Sequence, residues 1–264
     1  MKILFIGDIV GSKGRAAVKQ LLPSLKLAYG LDVVIANGEN AAHGKGITRK
    51  IYDELLGYGI DVITLGNHAF SKADLYDFIA GADRLVRPLN LLPLEFGQGI
   101  LEIDVNGVPL VIVNVCGNVF MENTSESPFE VMKRYTCKFI NKVVVVDMHA
   151  EATSEKIAFA YMYQNCLSAV IGTHTHVQTA DEKIMNGCAF ISDVGMTGPY
   201  DSVIGREVAE VLDRFNGIRT NRFTVAEGEA QLCGLYIEVD NASKRAIKIE
   251  RVQIRPQNDS ITHS

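Results

Sequence analysis

Short apolar runs alternate with amphipathic segments along most of the chain, which predicts strands that alternate with helices. The run Val143-Val144-Val145-Val146 is β-branched throughout, as expected of a strand buried on both faces of its sheet. Strands are predicted at 3–6, 33–36, 62–65, 110–115, 143–146 and 169–171, and helices at 14–29, 49–56, 72–80 and 154–166. The later sequence predicts strands at 189–192, 231–239 and 246–254, the last two as hairpin or meander partners, and a turn at 195–199. This order indicates an α/β fold whose later strands complete the first sheet or build a second one.

The length of 264 residues, without an internal repeat or a linker, predicts a single domain over residues 1–255 and a polar tail at 256–264. The five cysteines are scattered and odd in number, which is typical of reduced thiols. The apolar run at the start is too short for a signal peptide, and no stretch reaches the length of a membrane span. A cytoplasmic protein is therefore expected.

The net charge of −5 disfavours a broad nucleic-acid-binding surface or a basic membrane-docking face. It leaves a small phosphate-bearing substrate open, provided that something local supplies positive charge. We accordingly expect a small-molecule substrate, no stable nucleic-acid complex and no membrane, and leave a homo-oligomer open.

Polar side chains follow five of the predicted strands at the point where each strand ends. Because parallel strands place their carboxyl ends at one edge of a sheet, we expect these side chains to converge there. Four of the five ends also carry a glycine, which lets the backbone turn sharply or approach a ligand closely. The residues are Asp8, Glu39, Asn40, Asn67, His68, His149, His174 and His176.

The last strand end reads Gly172-Thr173-His174-Thr175-His176. In extended backbone, residues two apart share a face, so both imidazoles are expected to point to the same rim, with Gly172 as the turn that lets them reach it. A histidine pair of this kind also occurs by chance in loops. Asp8 alone could cap the next segment, and Asn67 alone could favour a turn. The convergence of all eight residues favours a functional site.

Imidazole nitrogens, carboxylates and amide oxygens together suit Mn, Fe, Zn, Ni or Co better than Ca or Cu(I). The donors suffice for two ions with one bridging carboxylate. Two divalent ions beside only two carboxylates would leave a net positive pocket, which resolves how an acidic protein could attract phosphate.

The order of these motifs resembles the calcineurin-like metallophosphoesterase superfamily. Over nearly the whole chain the sequence is similar to the YmdB-type bacterial phosphodiesterases in the blocks ILFIGDIVGSKGR, NGENAAHGKGIT, GNH, DMHAEATSEK, GTHTHVQTAD and DVGMTGPYDSVIG. The resemblance implies a four-layer α/β/β/α sandwich with two central mixed β-sheets and a dinuclear metal site at the strand ends.

By position in those motifs, one ion would be held by Asp8, Glu39, Asn40 and His176, and the other by Glu39, Asn67, His149 and His174. Iron or manganese is the expected metal, with zinc, nickel or cobalt as alternatives. Val10 stands where the superfamily has the histidine of its D-x-H motif, so Asn40 is the expected replacement donor. Glu39 stands where the superfamily has a bridging aspartate.

The resemblance implies hydrolysis of phosphodiester bonds, in 2′,3′- or 3′,5′-cyclic nucleotides. A hydroxide bridging two ions about 3.5–4 Å apart would attack phosphorus, and His68 would protonate the departing oxygen as general acid. Asp147 and Glu151 are candidates to orient the ligands from behind, and His43 and Lys45 are candidate substrate contacts.

Three other functions stay open at this point. Amidohydrolases also use H-x-H and two metals, but on the first strand of a (β/α)₈ barrel, whereas here the motif closes the series. A phosphomonoesterase or nucleotidase is compatible because the metal motifs do not choose the substrate. A metal-binding regulatory protein with little turnover is the third alternative.

Overall fold

The computed structural model describes residues 1–218 and 223–256, so all of the predicted polar tail except Pro256 lies outside the described residues. The strands are β1 (Lys2–Ile6), β2 (Asp8–Ile9), β3 (Val33–Asn37), β4 (Val62–Thr64), β5 (Leu85–Val86), β6 (Ile100–Val105), β7 (Val108–Cys116), β8 (Val143–His149), β9 (Ala169–Thr173), β10 (Lys183–Met185), β11 (Cys188–Ile191), β12 (Met196–Pro199), β13 (Ala230–Val239) and β14 (Ala246–Ile254). The α-helices are α1 (Gly11–Tyr29), α2 (Arg49–Gly57), α3 (Asp74–Phe78), α4 (Pro128–Lys133), α5 (Thr153–Tyr163) and α6 (Val208–Phe215).

Two mixed sheets contain these strands. The first has the order β2-β12-β13-β1-β3-β4-β5, with β14 paired to β13. Within it β1, β3, β4 and β5 are parallel and β13 is antiparallel to β1. The second has the order β10-β11-β9-β8-β7-β6, with parallel strands from β11 to β7 and an antiparallel strand at each edge. Strands 231–239 and 246–254 form the predicted antiparallel pair.

Three apolar layers hold the sheets and helices together. The sheets face each other across a core that includes Ile3, Phe5, Ile35, Ile112, Val145 and Ile171. The outer face of the first sheet packs on α1, α2 and α3 through Val18, Leu22, Ile51, Leu55 and Leu75. The outer face of the second packs on α4 and α5 through Val131, Phe159, Ala160 and Tyr163. The predicted four-layer α/β/β/α sandwich is confirmed, and every residue of β8 is buried as its valine run predicts.

The structure differs from the sequence prediction in two segments, and it contains further elements that were not predicted. Residues 195–199, predicted as a turn, contain β12, whose pairing with Asp8–Ile9 and with β13 overrides the local turn preference of its glycine and proline. The predicted helix 72–80 is α3 flanked by 3₁₀ turns at Ala69–Ser71 and Ile79–Gly81. The half-exposed edge strand β6 and the short helices α4 and α6 are not predicted because their apolar patterns are weak or brief.

All five cysteines are free thiols. Among the described residues, no helix combines the length and the apolar character needed to cross a bilayer.

Candidate metal centre

The predicted polar side chains meet where the carboxyl ends of β1, β3 and β4 in the first sheet approach those of β8 and β9 in the second. Each residue follows or closes its strand, because parallel strands of both sheets run toward this edge. The edge holds a cavity of about 250 Å³, lined by Glu39, Asn40, His68, Glu151, His174, Thr175, His176, Ile204 and Arg206.

Glu39 is the centre of this arrangement and is almost completely buried. Its Oε1 lies 3.1 Å from His149 Nε2 and accepts a hydrogen bond from Asn40 Nδ2 at 3.2 Å. Its Oε2 accepts a hydrogen bond from the backbone N–H of His68 at 3.0 Å. A Cβ at Gly66 would overlap both Glu39 Oε2 and His149 Nε2, so the glycine is required here for space.

Asp8, Asn40 and His176 form one side of the centre. Asn40 Nδ2 lies 3.4 Å from Asp8 Oδ1 and 3.1 Å from His176 Nε2, and His176 Nε2 is 3.8 Å from Asp8 Oδ1. A half-turn of the Asn40 amide would present Oδ1 to the same point, as a cation there requires. Val10 is buried and offers no donor, so Asn40 occupies the position of a third polar group on this side.

Asn67, His149 and His174 form the other side. His149 Nε2 lies 3.0 Å from Asn67 Oδ1 and 3.1 Å from His174 Nδ1. The donor atoms of Glu39, His149 and His174 all lie within 4.8 Å of one another, a spacing that suits a shared metal ion.

A buried hydrogen-bond chain fixes which ring nitrogen of His149 faces the centre. The Thr173 hydroxyl donates to Asp147 Oδ1 at 2.6 Å, and its oxygen lies 2.8 Å from His149 Nδ1. Since that hydroxyl has a single proton, it accepts from Nδ1–H, and Nε2 is the ring nitrogen that faces the centre and would bind a cation there. Asp147 also accepts from Thr64 Oγ1 at 2.5 Å and from Asn37 Nδ2 at 3.0 Å. Burial raises its pKa to about 6, against the opposing effects of His149 and these hydrogen bonds, so it is mainly ionised at neutral pH.

Thr173→Val removes the link between Asp147 and His149 while keeping the side-chain shape. We expect metal affinity to fall about 10–100-fold, the usual cost of losing a hydrogen bond that orients a ligand. Metal content after dialysis against graded chelator measures the effect, with Thr136→Val, on a 3₁₀ turn away from the centre, as the matched control. Equal metal retention in both variants would contradict this role for Thr173.

His174 and His176 reach the centre through left-handed backbone, with φ of 100° and 68°. The prediction that extended alternation aligns them is wrong, because β9 ends at Thr173. Gly172 is also not a turn: it lies inside β9, where a Cβ would overlap the carbonyl oxygen of Ser192. Positive φ is uncommon in non-glycine residues, so contacts that hold these two in place are expected nearby.

A buried ion pair between Lys156 and Asp193 holds the backbone on both sides of His174. Lys156 Nζ donates to the Thr173 carbonyl oxygen at 2.7 Å and to Asp193 Oδ2 at 3.0 Å, and both side chains are fully buried. Asp193 Oδ2 accepts from the Thr175 backbone N–H at 2.9 Å and from its hydroxyl at 2.8 Å. At the front, the His174 N–H donates to Asp8 Oδ2 at 3.2 Å. The residues on both sides of His174 are therefore anchored.

Lys156→Met leaves the Asp193 carboxylate buried without its cation. We expect the free energy of unfolding to fall by about 3–5 kcal/mol, as when one partner of a buried pair is removed. Chemical denaturation measures it, with Lys133→Met, at an exposed position of α4, as the control. Lys156→Met/Asp193→Asn should recover part of the loss; a single variant as stable as wild type would refute the argument.

The centre attracts positive charge. Asp8 and Glu39 are both buried, and in the described part of the chain neither pairs with a lysine or arginine, only with histidines. Burial alone would lower the pKa of His149, but attraction by Glu39, Asp8 and Asp147 raises it to about 9. Burial likewise opposes ionisation of Glu39, but His149 and His68 hold its pKa below the usual range. Buried carboxylates beside imidazole and amide donors fit the binding of metal cations.

The remaining predicted residues differ in how they relate to the cavity. His68 lines it, half-buried, and its ring makes no hydrogen bond to any described residue. Glu151 Oε2 lies 3.1 Å from His174 Nε2. Lys45 and His43 are exposed and do not line the cavity; His43 lies in a second cavity with Ser12 and Lys13. Burial, with the charge of Lys45 in the same direction, lowers the pKa of His68, while Glu39 opposes it.

Arg206 lines the cavity and is absent from the sequence predictions. It follows Gly205 in a loop after β12, so no strand end points to it. The similar block DVGMTGPYDSVIG stops at Gly205, one residue short of it.

Comparisons with known proteins give one consistent result. A match to the YmdB-like protein family covers residues 4–252. The chain is 46% identical over 257 residues to a Bacillus subtilis protein named 2′,3′-cyclic-nucleotide 2′-phosphodiesterase, covering 96% of this chain and 97% of that protein. A crystal structure described as a novel phosphatase from Mycoplasma pneumoniae superposes with a TM-score of 0.90 at 40% identity, covering 96% of this chain and 93% of that one. A hypothetical protein from Thermus thermophilus superposes with a TM-score of 0.89 at 39% identity, covering 96% of this chain and 99% of that one.

Proposed function

The chain belongs to the YmdB-like family, and from that premise we propose that it is a metal-dependent phosphodiesterase that opens 2′,3′-cyclic nucleotides at the 2′-oxygen. The predicted YmdB-type resemblance is thereby confirmed, and so, through the relatives, is the class of phosphoric diester hydrolases. The name of the Bacillus subtilis relative, at 46% identity, supports the finer choice of substrate.

The observation that carries the proposal is the donor cluster around the buried Glu39. We assign Asp8, Glu39, Asn40 and His176 to one ion and Glu39, Asn67, His149 and His174 to a second, with Glu39 shared. Glu39 suits the shared position because its Oε1 lies beside one residue of each set, 3.2 Å from Asn40 Nδ2 and 3.1 Å from His149 Nε2. The imidazole, carboxylate and amide donors suit first-row transition metals, and iron or manganese remains the metal we propose, with zinc, nickel or cobalt as alternatives.

Bound metal ions supply Lewis-acid chemistry, polarising the phosphoryl group and lowering the pKa of water. The protein's own groups do the rest. His68, whose ring is without a partner among the described residues, donates a proton to the departing ribose oxygen. The Asp147–Thr173–His149 chain keeps the Nδ1 proton of His149 away from the centre, so that Nε2 is the nitrogen available to an ion. The Lys156–Asp193 pair anchors Thr173 and Thr175, the neighbours of His174, and so keeps the His174 N–H on Asp8.

A substrate panel on the metal-loaded protein tests the proposal. We expect 2′,3′-cyclic AMP to be converted to 3′-AMP, faster than 3′,5′-cyclic AMP is opened and without appreciable phosphate release from 3′-AMP. Product chromatography and ³¹P NMR identify the bond that breaks, and anomalous scattering identifies the metal. Phosphate release from monoesters alone would favour the phosphomonoesterase alternative. A fully metallated protein that turns over no phosphoester would favour the regulatory, metal-binding alternative.

A further inference from the structure

Arg206 lines the cavity that contains the metal centre, together with His68 and His176. The side chain is half-buried, and its Nη2 donates to the Gly44 carbonyl oxygen at 2.7 Å. A guanidinium carries five N–H donors. Over residues 1–218 and 223–256, Gly44 supplies the single acceptor for them, so the other donors are available to a ligand.

The loop that carries Arg206 is rigidly built. Val203 and Arg206 exchange two backbone hydrogen bonds of 3.0 and 2.9 Å around a turn whose central residues, Ile204 and Gly205, have positive φ. Arg206 also pairs with Val225. Gly44 packs closely against the Arg206 side chain, since a Cβ at Gly44 would overlap the guanidinium. The cation is therefore fixed before any ligand arrives.

The same loop touches the metal centre directly. His176 Nδ1 donates to the Ile204 carbonyl oxygen at 2.9 Å, which leaves His176 Nε2 for the side of Asp8 and Asn40. Arg206 thus stands two residues from the group that orients a predicted ligand. Arg206 and His68 also line the same cavity.

We propose that Arg206 binds a non-bridging oxygen of the substrate's phosphoryl group and so positions phosphorus between the metal centre and His68. The inference rests on the proposed function for its choice of substrate. A planar guanidinium matches the geometry of phosphate oxygens, and one held in place loses little rotamer freedom on binding. Lys45, the cation predicted from the sequence, is exposed and does not line the cavity.

Arg206→Gln and Arg206→Lys test this role in the metal-loaded protein. We measure the Kd of inorganic phosphate by calorimetry, the kcat and KM for 2′,3′-cyclic AMP, and metal content. Loss of charged hydrogen bonds should weaken phosphate binding about 10–100-fold in the glutamine variant, raise KM for the cyclic nucleotide in step, and leave metal content unchanged. The lysine variant should lie between it and wild type. Arg134→Gln, which breaks an exposed ion pair with Glu126, is the matched control and should match wild type in every readout.

Unchanged phosphate affinity and KM in Arg206→Gln would overturn the inference. It would also be overturned if metal content fell as far as phosphate affinity, because the hold of the loop on His176 would then explain the loss. The phosphate titration needs no turnover, so it separates this inference from the proposed function. A wild-type protein that binds phosphate through Arg206 but opens no cyclic nucleotide would refute only the choice of substrate.

Discussion

Glu39→Gln is expected to lose most of its bound metal and to reduce phosphodiester turnover on the order of a thousandfold, which corresponds to several kcal/mol of lost stabilisation by the metal ions. The substitution keeps the size of the side chain and removes its charge. Within the described residues, Glu39 is the only carboxylate that contacts side chains from both sides of the centre, Asn40 on one side and His149 on the other. No neighbouring acid takes its place, because Asp8 is directed to Asn40, His176 and the N–H of His174.

Elemental analysis and turnover of 2′,3′-cyclic AMP measure the two effects separately. A third measurement is thermal unfolding with and without added metal, since an ion that binds the native state raises its stability. Wild type should show that increase and Glu39→Gln should lose it. Glu102→Gln, on the exposed edge strand β6, is the matched control and should bind metal like wild type. A Glu39→Gln protein with full metal content would contradict the assignment of Glu39 as the shared ligand.

The position of the centre follows from the hydrophobic pattern, because that pattern identifies the strands. Once residues 3–6, 33–36, 62–65, 143–146 and 169–171 are strands, the parallel-strand rule places Asp8, Glu39, Asn67, His149 and His174 at one edge. The structure brings all five together, across two sheets. Strand ends can be predicted from sequence since burial dictates the apolar run and the polar residue that stops it.

The local backbone of the centre could not be predicted in the same way. His174 and His176 adopt positive φ because Lys156 and Asp193, well separated from each other along the chain, anchor Thr173 and Thr175. Such enforcement depends on which buried side chains meet in three dimensions. The ring nitrogen that His149 presents to the centre is set likewise by a hydroxyl from β9 and a carboxylate from β8.

Arg206 shows the limit of the strand-end rule. It reaches the cavity from a loop whose course depends on β12, and β12 exists because β2 and β13 pair with it. A glycine- and proline-containing segment of this kind reads as a turn when it is considered alone. A candidate substrate-binding group on a loop is therefore found only with the structure, whereas the candidate metal donors at strand ends can be predicted from the sequence.

His68→Ala is expected to lower kcat for 2′,3′-cyclic AMP about 10²–10⁴-fold, the usual contribution of a general acid. The departing ribose alkoxide is strongly basic and needs a proton, whereas the p-nitrophenolate released from bis-p-nitrophenyl phosphate is a weak base and needs little help. The loss should therefore be much smaller on the nitrophenyl ester, and the ratio of the two losses measures the acid role directly.

Metal content provides the internal control for this variant. His68 contacts Glu39 through its backbone N–H, a bond that alanine retains, so Glu39 keeps its hydrogen bond and the metal centre should stay fully occupied. A general acid predicts full metal with a selective loss on the cyclic nucleotide. Equal losses on both substrates, with metal depleted, would instead make His68 a support for the centre, and near-wild-type turnover of the cyclic nucleotide would remove it from the mechanism.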